Sequence, residues 1–301
     1  MKRAAGSLMP KDKLVTILMV APALILVAVF ILTPFVITLV LSVSDGKGYS
    51  VSSFSGLTHY AKLMKDKLFF SKSSTSLMPS GALVNSLLWM VLGVPLTILI
   101  GFLVSLFANK RKGEGVFRSA FFLPMVISGT VIGIVWMYVY SPNQSIGLLN
   151  AVFNTNISWL GNGKIVNYAL IFTWIWAQTG MAVVICSAAL KGVPEDIIEA
   201  GLIDGANPVQ RLWKLILPEI RPQLFMLMTT LLVNVLKVFD IVFVMTGGGP
   251  ANKSNTMAML FYNQTFLYSK THYGAAIVTV LSVFVFIIYG ITNLVQARAE
   301  R

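Results

Sequence analysis

The residues whose types and spacing could do chemistry in this 301-residue chain fall into two sets. The first sits inside long apolar runs: Trp174 and Gln178 four apart, then Asn234, Lys237 and Asp240 at steps of three. An indole face with amide and charged groups suits a solute that has apolar ring faces and hydroxyl edges. Lys237 and Asp240 carry a second reading, because charges in an apolar span face either a cavity or each other. At i and i+3 of a helix they can pair, and an unbroken helix would put Lys237 and Ile241 on the face of Asn234.

The second set lies between two apolar runs. Pro194 followed by Glu195 and Asp196 starts a helix, since acids suit the positive end of its dipole. Gly205 stops it, and Asn207 and Pro208 open a second helix as cap and first residue. The expected helices are 194–204 and 208–216. The second aligns Val209, Leu212, Trp213 and Ile216 in one apolar stripe, too short to cross a membrane, which must be buried at a lipid interface or against a partner. Other chemistry is thinly represented. His59 and His272 stand far apart in the sequence with no nucleophile or metal-ligand set beside them, and no Gly-x-x-x-x-Gly-Lys-Ser/Thr loop cradles a nucleotide. The single cysteine, Cys186, reads as a small core residue and allows no disulfide.

The elements that must position both sets follow from composition. With 56% hydrophobic and 11% charged residues, the chain is built for a membrane solvent. A bilayer core of about 30 Å needs roughly 20 apolar helical residues. Six runs qualify, at about 14–42, 83–108, 119–140, 166–190, 222–245 and 274–296. Unbroken apolar runs exclude a barrel, whose strands alternate. The expected fold class is all-α: a polytopic membrane protein of six transmembrane helices, one permeation domain over 1–301, with the two-helix loop 191–221 between the fourth and fifth. The first run is about twice the length of a cleavable signal core and reads as a retained helix. Pro22, Pro34 and Pro95 are tolerable kinks. The segment 43–82 has room for a small amphipathic helix near 59–64. Trp136, Trp176, Tyr138 and Tyr140 read as interface anchors or packing.

The net charge of +12 collects at run ends, not on one polar face, so it reports topology and not nucleic acid. Fourteen basic residues flank the runs on one side: Lys2, Arg3, Lys11, Lys13, Lys110, Arg111, Lys112, Arg118, Lys191, Arg211, Lys214, Arg221, Arg298 and Arg301. Eight lie on the other, at Lys47, Lys62, Lys65, Lys67, Lys72, Lys164, Lys253 and Lys270. The positive-inside rule puts the first set, with both termini and the 191–221 loop, in the cytoplasm.

The loop residues resemble a known pattern. Glu199-Ala200-Gly201, then Gly205, then Leu215-Ile216-Leu217-Pro218 follow the spacing of the signature loop in inner-membrane permease subunits of binding-protein-dependent ABC importers, in the carbohydrate-uptake branch. Gly201 stands for the family's second alanine and Leu215 for its isoleucine. Further segments are similar in the same order: Gly56 to Tyr60, Phe117-Arg118 through Leu123-Pro124, Trp159-Leu160, Phe239-Asp240, and Thr246-Gly247-Gly248-Gly249-Pro250. The resemblance implies that the loop docks on an ATP-binding subunit present in two copies, which uses ATP and Mg while this chain binds no cofactor and is not itself an enzyme. In that role Glu199 makes polar contacts with the ATPase, Gly205 bends, and Pro218 separates the loop from the fifth span, with Ala200, Gly201, Asp204 and Leu217 as further residues of the coupling loop. It also implies a second, homologous permease, an extracytoplasmic binding protein, a bacterial inner-membrane location, and a sugar as solute. A polyol or a glycerol phosphate compound is the alternative within the class, and an ATPase-independent secondary transporter is the alternative outside it.

Overall fold

A computed structural model describes residues 10–71, 80–108 and 113–299. Of the basic residues counted above, Lys2, Arg3, Lys72, Lys110, Arg111, Lys112 and Arg301 lie outside the described residues. The chain is mostly helical. Four described helical stretches are long and apolar enough to cross a membrane, Val15–Ser42, Ala82–Ala108, Val166–Lys191 and Thr271–Gln296, and two bent pairs, Gly115–Val126 with Gly129–Val139 and Pro208–Glu219 with Arg221–Leu236, raise the count to six if each is one crossing.

The first stretch comprises α1 (Pro10–Val27) and α2 (Thr33–Ser42), joined by a π-turn at Ala28–Leu32. Thr33 answers the widened turn by donating its hydroxyl to Ala28 O at 3.0 Å. A short hairpin, β1 (Ser44–Asp45) against β2 (Ser53–Phe54), leads into α3 (Thr58–Lys65), the amphipathic helix expected there. Then come α4 (Ala82–Ala108), α5 (Glu114–Val126), α6 (Gly129–Val139), α7 (Leu148–Phe153) and α8 (Val166–Lys191).

The third apolar run is not one straight helix. Its halves meet at 102°, because Pro124 removes a donor near the end of α5 and Ser128, extended at ψ 147°, caps α6 through its hydroxyl. At 13 and 11 residues, each half reaches only about 16–20 Å at 1.5 Å per residue. The fifth run breaks too. It consists of α12 (Arg221–Leu236), a non-helical step at 237–239, and α13 (Asp240–Thr246). After it follow α14 (Met257–Tyr262), a π-turn at Asn263–Leu267, and α15 (Thr271–Ala299).

The bundle is organised on α8, whose apolar window is 67% buried against 6% for the first stretch. Small residues let helices touch it closely. A Cβ on Gly101 of α4 would lie 2.3 Å from Ala182 Cβ, and one on Gly180 would lie 2.4 Å from Phe121 O of α5. Ser105 fastens the first contact by donating to Val183 O at 3.0 Å. At the opposite end Asn85 donates to Lys253 O and Asn255 O at 2.8 and 2.7 Å, and Asn167 donates to Lys253 O at 2.8 Å. These bonds pin the Gly-rich segment after α13 to α4 and α8. The first stretch joins the bundle through α2 and α15. The two histidines, distant in sequence, close that joint: their rings stack at 6.3 Å, His59 Nε2 lies 3.0 Å from Ser44 O, and His272 lies 3.1 Å from Leu41 O and 3.2 Å from Ser50 O. The end of α2 therefore adjoins the start of α15. Consequently the start of α1 and the end of α15 face the other end of the bundle, the end that carries the 191–221 loop.

Candidate functional site

The loop is built as two capped helices with a glycine hinge. The first, α9 (Glu195–Ile203), begins with Glu195 and Asp196 in its first turn, and Pro194 stands one residue outside it as cap. Its end is a complete Schellman turn: Ala206 N–H donates to Gly201 O at 2.9 Å and Gly205 N–H to Leu202 O at 3.1 Å. Gly205 holds φ +74°, and a Cβ there would meet nothing within 4 Å. Backbone conformation alone favours glycine at this position.

Asn207 caps α10 (Pro208–Arg211) and forms a reciprocal box with Gln210: Gln210 N–H donates to Asn207 Oδ1 at 2.8 Å, and Asn207 N–H to Gln210 Oε1 at 2.9 Å. Gln210 was readable, since Asn-x-x-Gln ahead of an apolar stripe is a capping-box spacing. Beyond it the helix widens into a π-turn, Leu212–Ile216, and continues as α11 (Leu217–Glu219). This corrects the expectation for Pro218. Leu217 N–H bonds back to Leu212 O across the wide turn, so a residue without a donor is accommodated inside the helix. The separation from α12 falls at Ile220, with a 68° change of direction.

The apolar stripe also divides. Leu212 and Ile216 face inward, and Ile216 with Ile198 and Leu217 packs on Ala189, Leu190, Val193 and Ile220 at the ends of α8 and α12. Val209 and Trp213 stay outside at 64% and 67% exposure, beside Ile203 at 86%. Glu199, Ala200, Asp204, Gly205 and Pro218 are exposed with them, while Gly201 is buried. A Cβ on Gly201 would lie 2.5 Å from Leu215 Cδ1. The two departures from the signature are thus one contact, in which the larger sweep of Leu215 occupies the space of the missing methyl.

The second set converges at mid-bundle. Trp174, Gln178, Asn234, Lys237 and Asp240 all line one cavity of about 360 Å³. Trp174 is held from behind, edge-on to Trp89 at 6.4 Å between ring centroids and over Gly93, where a Cβ would stand 3.0 Å from its ring. Gln178 is one turn further along α8. Both chain breaks open onto the same space, which is why Pro124, Ile127, Gly129 and Phe239 also line it. These four were missed. Hydropathy windows register composition and pass over backbone discontinuity, although Pro124 and the Ser128-Gly129 pair were the available signal.

Lys237 and Asp240 do not form the ion pair that i, i+3 spacing allows. Lys237 caps the end of α12, and Phe239, at φ −134° and ψ −55°, is neither helical nor extended, so the helical geometry needed for pairing, and for sharing a face with Asn234, is gone. Among the described residues the two form no salt bridge. Asp240 instead leans on α6, where a Cβ on Gly129 would lie 3.0 Å from its Cβ and 3.2 Å from its Oδ2. That location puts the carboxylate at the positive end of α6 as well as in the first turn of α13.

Comparison with known proteins adds independent findings. Residues 93–301 match the family described as binding-protein-dependent transport system inner membrane component. Over 289 residues the chain is 36% identical to the osmoprotective compounds uptake permease protein GgtC of Synechocystis sp., covering 93% of this chain and 98% of that one. It is 31% identical over 277 residues to the alpha-glucoside transport system permease protein AglF of Rhizobium meliloti, covering 89% and 78%. Among solved structures, a chain of a bacterial ABC transporter involved in the import of the acidic polysaccharide alginate has the same fold at a TM-score of 0.77 and 18% identity, covering 97% of this chain and 98% of that one.

Proposed function

The chain belongs to the inner-membrane components of binding-protein-dependent transport systems, the permease subunits of ABC importers, and from that premise we propose that it forms half of a pathway for a neutral sugar or sugar-like polyol. A second, homologous permease supplies the other half. An extracytoplasmic binding protein delivers the solute, and two copies of a separate ATP-binding subunit use ATP and Mg. The whole chain acts as one permease domain with six crossings, in which the bent α5–α6 pair and the broken α12–α13 run each count as one. Both termini and the 191–221 loop are cytoplasmic.

One observation carries the docking role: the loop is rigid where it meets the bundle and apolar where it does not. Capping, a Schellman turn and the Ile216–Leu217–Ile220 packing fix its shape, while Ile203, Val209 and Trp213 stand exposed on helices too short to span. An exposed apolar patch at the end of a membrane bundle fits a partner protein. Rigid docking lets the nucleotide state of the partner lever the bundle between two arrangements. Glu199 and Asp204 would rim the contact. For the solute, the cavity combines an indole face, two amides and two charges of opposite sign, which favours hydroxyl-rich, uncharged molecules. The name of the relative in Synechocystis, with 36% identity, supports an osmoprotective compound as the second solute reading beside an oligosaccharide.

The test uses cysteine chemistry. In a Cys186→Ser background, a cysteine at Ile203 is expected to crosslink to the co-expressed ATP-binding subunit and to be labelled only from the cytoplasmic face. Labelling from the outer face, or a complex that assembles fully with no crosslink there, would overturn the docking role.

A further inference from the structure

Behind the exposed face of the loop lies a groove of about 440 Å³. Leu106, Ile198, Leu212 and Ile216 form its apolar walls, and Arg211 is its one charged lining residue. Leu106 is two residues from the end of α4, so the groove opens where a membrane-crossing helix emerges. Of the exposed apolar side chains suited to a protein partner, Val209 stands at its rim, and Ile203 and Trp213 do not line it.

Arg211 is held at this groove by its stem. A Cβ on Gly201 would lie 3.7 Å from its Cγ and 3.9 Å from its Cδ, so the absence of a side chain at Gly201 seats the arginine as well as Leu215. The Nε is buried and has no hydrogen-bond acceptor. No carboxylate pairs with the guanidinium among the described residues. The buried Nε without an acceptor is costly, and the remaining N–H groups of the guanidinium, which have no acceptor among the described residues, match the two free oxygens of a tetrahedral phosphate diester.

We propose that this groove binds one anionic phospholipid of the cytoplasmic leaflet. An acyl chain lies along Leu106, Ile198, Leu212 and Ile216, and the phosphate accepts from Arg211. Apolar walls beside a single cation at the cytoplasmic end of membrane helices are what such a lipid recognises. The bound lipid braces the Gly201–Leu215 contact between the two loop helices from the membrane side. The inference rests on the cytoplasmic placement of the loop proposed above.

The experiment uses the purified full chain, without an ATPase, exchanged into equal amounts of phosphatidylglycerol and phosphatidylcholine with matched acyl chains, with retained lipid read by native mass spectrometry. Wild type is expected to retain phosphatidylglycerol about five-fold over phosphatidylcholine. Arg211→Gln should bring the ratio to about one, and Arg211→Lys, which keeps the charge and loses the fork, should fall between. Ile198→Trp, which fills the groove and leaves the arginine in place, should lower retention of both lipids. Equal retention by wild type, or a preference that survives Arg211→Gln, would overturn the proposal. So would a thermal shift of the lipid-depleted chain by inorganic phosphate with no lipid preference, which marks a free-anion site. If Arg211→Gln leaves the lipids unchanged but lowers co-purification of the ATPase, the arginine serves the protein partner and the lipid site is wrong. Because the Ile203 crosslink reads docking separately, failure of one experiment leaves the other interpretable.

Discussion

Gly205 carries the clearest consequence at the scale of single residues. Its φ of +74° disfavours an ordinary L side chain by roughly 1–2 kcal/mol, yet open space surrounds it, so bulk within this chain is not the obstacle. Asparagine, which tolerates the left-handed region, is expected to retain most co-purification of the ATPase, whereas Gly205→Val should lose it while the chain stays in the membrane fraction. Equal behaviour of the two variants would remove the conformational explanation. Gly201 makes a different prediction. Alanine there collides with Leu215 Cδ1, a flexible side-chain end, so the cost should be modest, about 1 kcal/mol. A second change, Leu215→Val, should recover most of it in a double-mutant cycle of thermal stability, and strict additivity would show that the two residues are not in contact. The sequence displayed both departures from the signature, but their contact was illegible. Fourteen positions separate them in the chain, and only the Schellman turn folds one helix back over the other.

The elements show where pattern reading succeeds and where it stops. Helix starts were legible because their signals are local: Asn207 and Pro208 cap and open α10, and the acids of α9 sit in its first turn. Helix ends inside apolar runs were not. The run 119–140 hides a 102° bend and the run 222–245 a three-residue break, since apolar residues suit a bent segment as well as a straight one. Pro218 misled for a related reason: a π-turn ahead of it supplies a geometry that a proline can enter. Pro218→Ala is therefore expected to leave thermal stability within about 1 kcal/mol of wild type. Ile220→Asp, at a position 1% exposed, should destabilise by about 2 kcal/mol or more through burial of an unpaired charge and open the loop to protease. If Pro218→Ala were the more damaging change, the boundary would belong at the proline after all.

For the whole molecule, composition alone was enough to indicate a mostly helical membrane bundle. The uneven burial was not visible. α8 is the least apolar of the four long stretches, but only the packing shows that neighbours approach it at small residues such as Gly180 and Ala182. The first helical stretch, by contrast, is exposed along nearly its whole length. Leu26, 57% exposed, would tolerate lysine in a water-soluble protein. Here Leu26→Lys is expected to oppose insertion by about 3 kcal/mol and deplete the chain from the membrane fraction, and unchanged recovery in membranes would argue that this face meets water. Four polar residues of the cavity, Gln178, Asn234, Lys237 and Asp240, were legible individually as costly intruders in apolar runs. Their convergence depended on two chain breaks that bring α5, α6, α12 and α13 around one space.

The most direct test of the central claim is ATP-driven uptake of labelled solute into vesicles that hold this chain together with a second permease, an ATP-binding subunit and a binding protein. Uptake is expected to require ATP and every partner, to fail in Gly205→Val, and to return largely in Gly205→Asn. Solute flux through this chain alone, without ATP, or wild-type uptake by Gly205→Val, would contradict it.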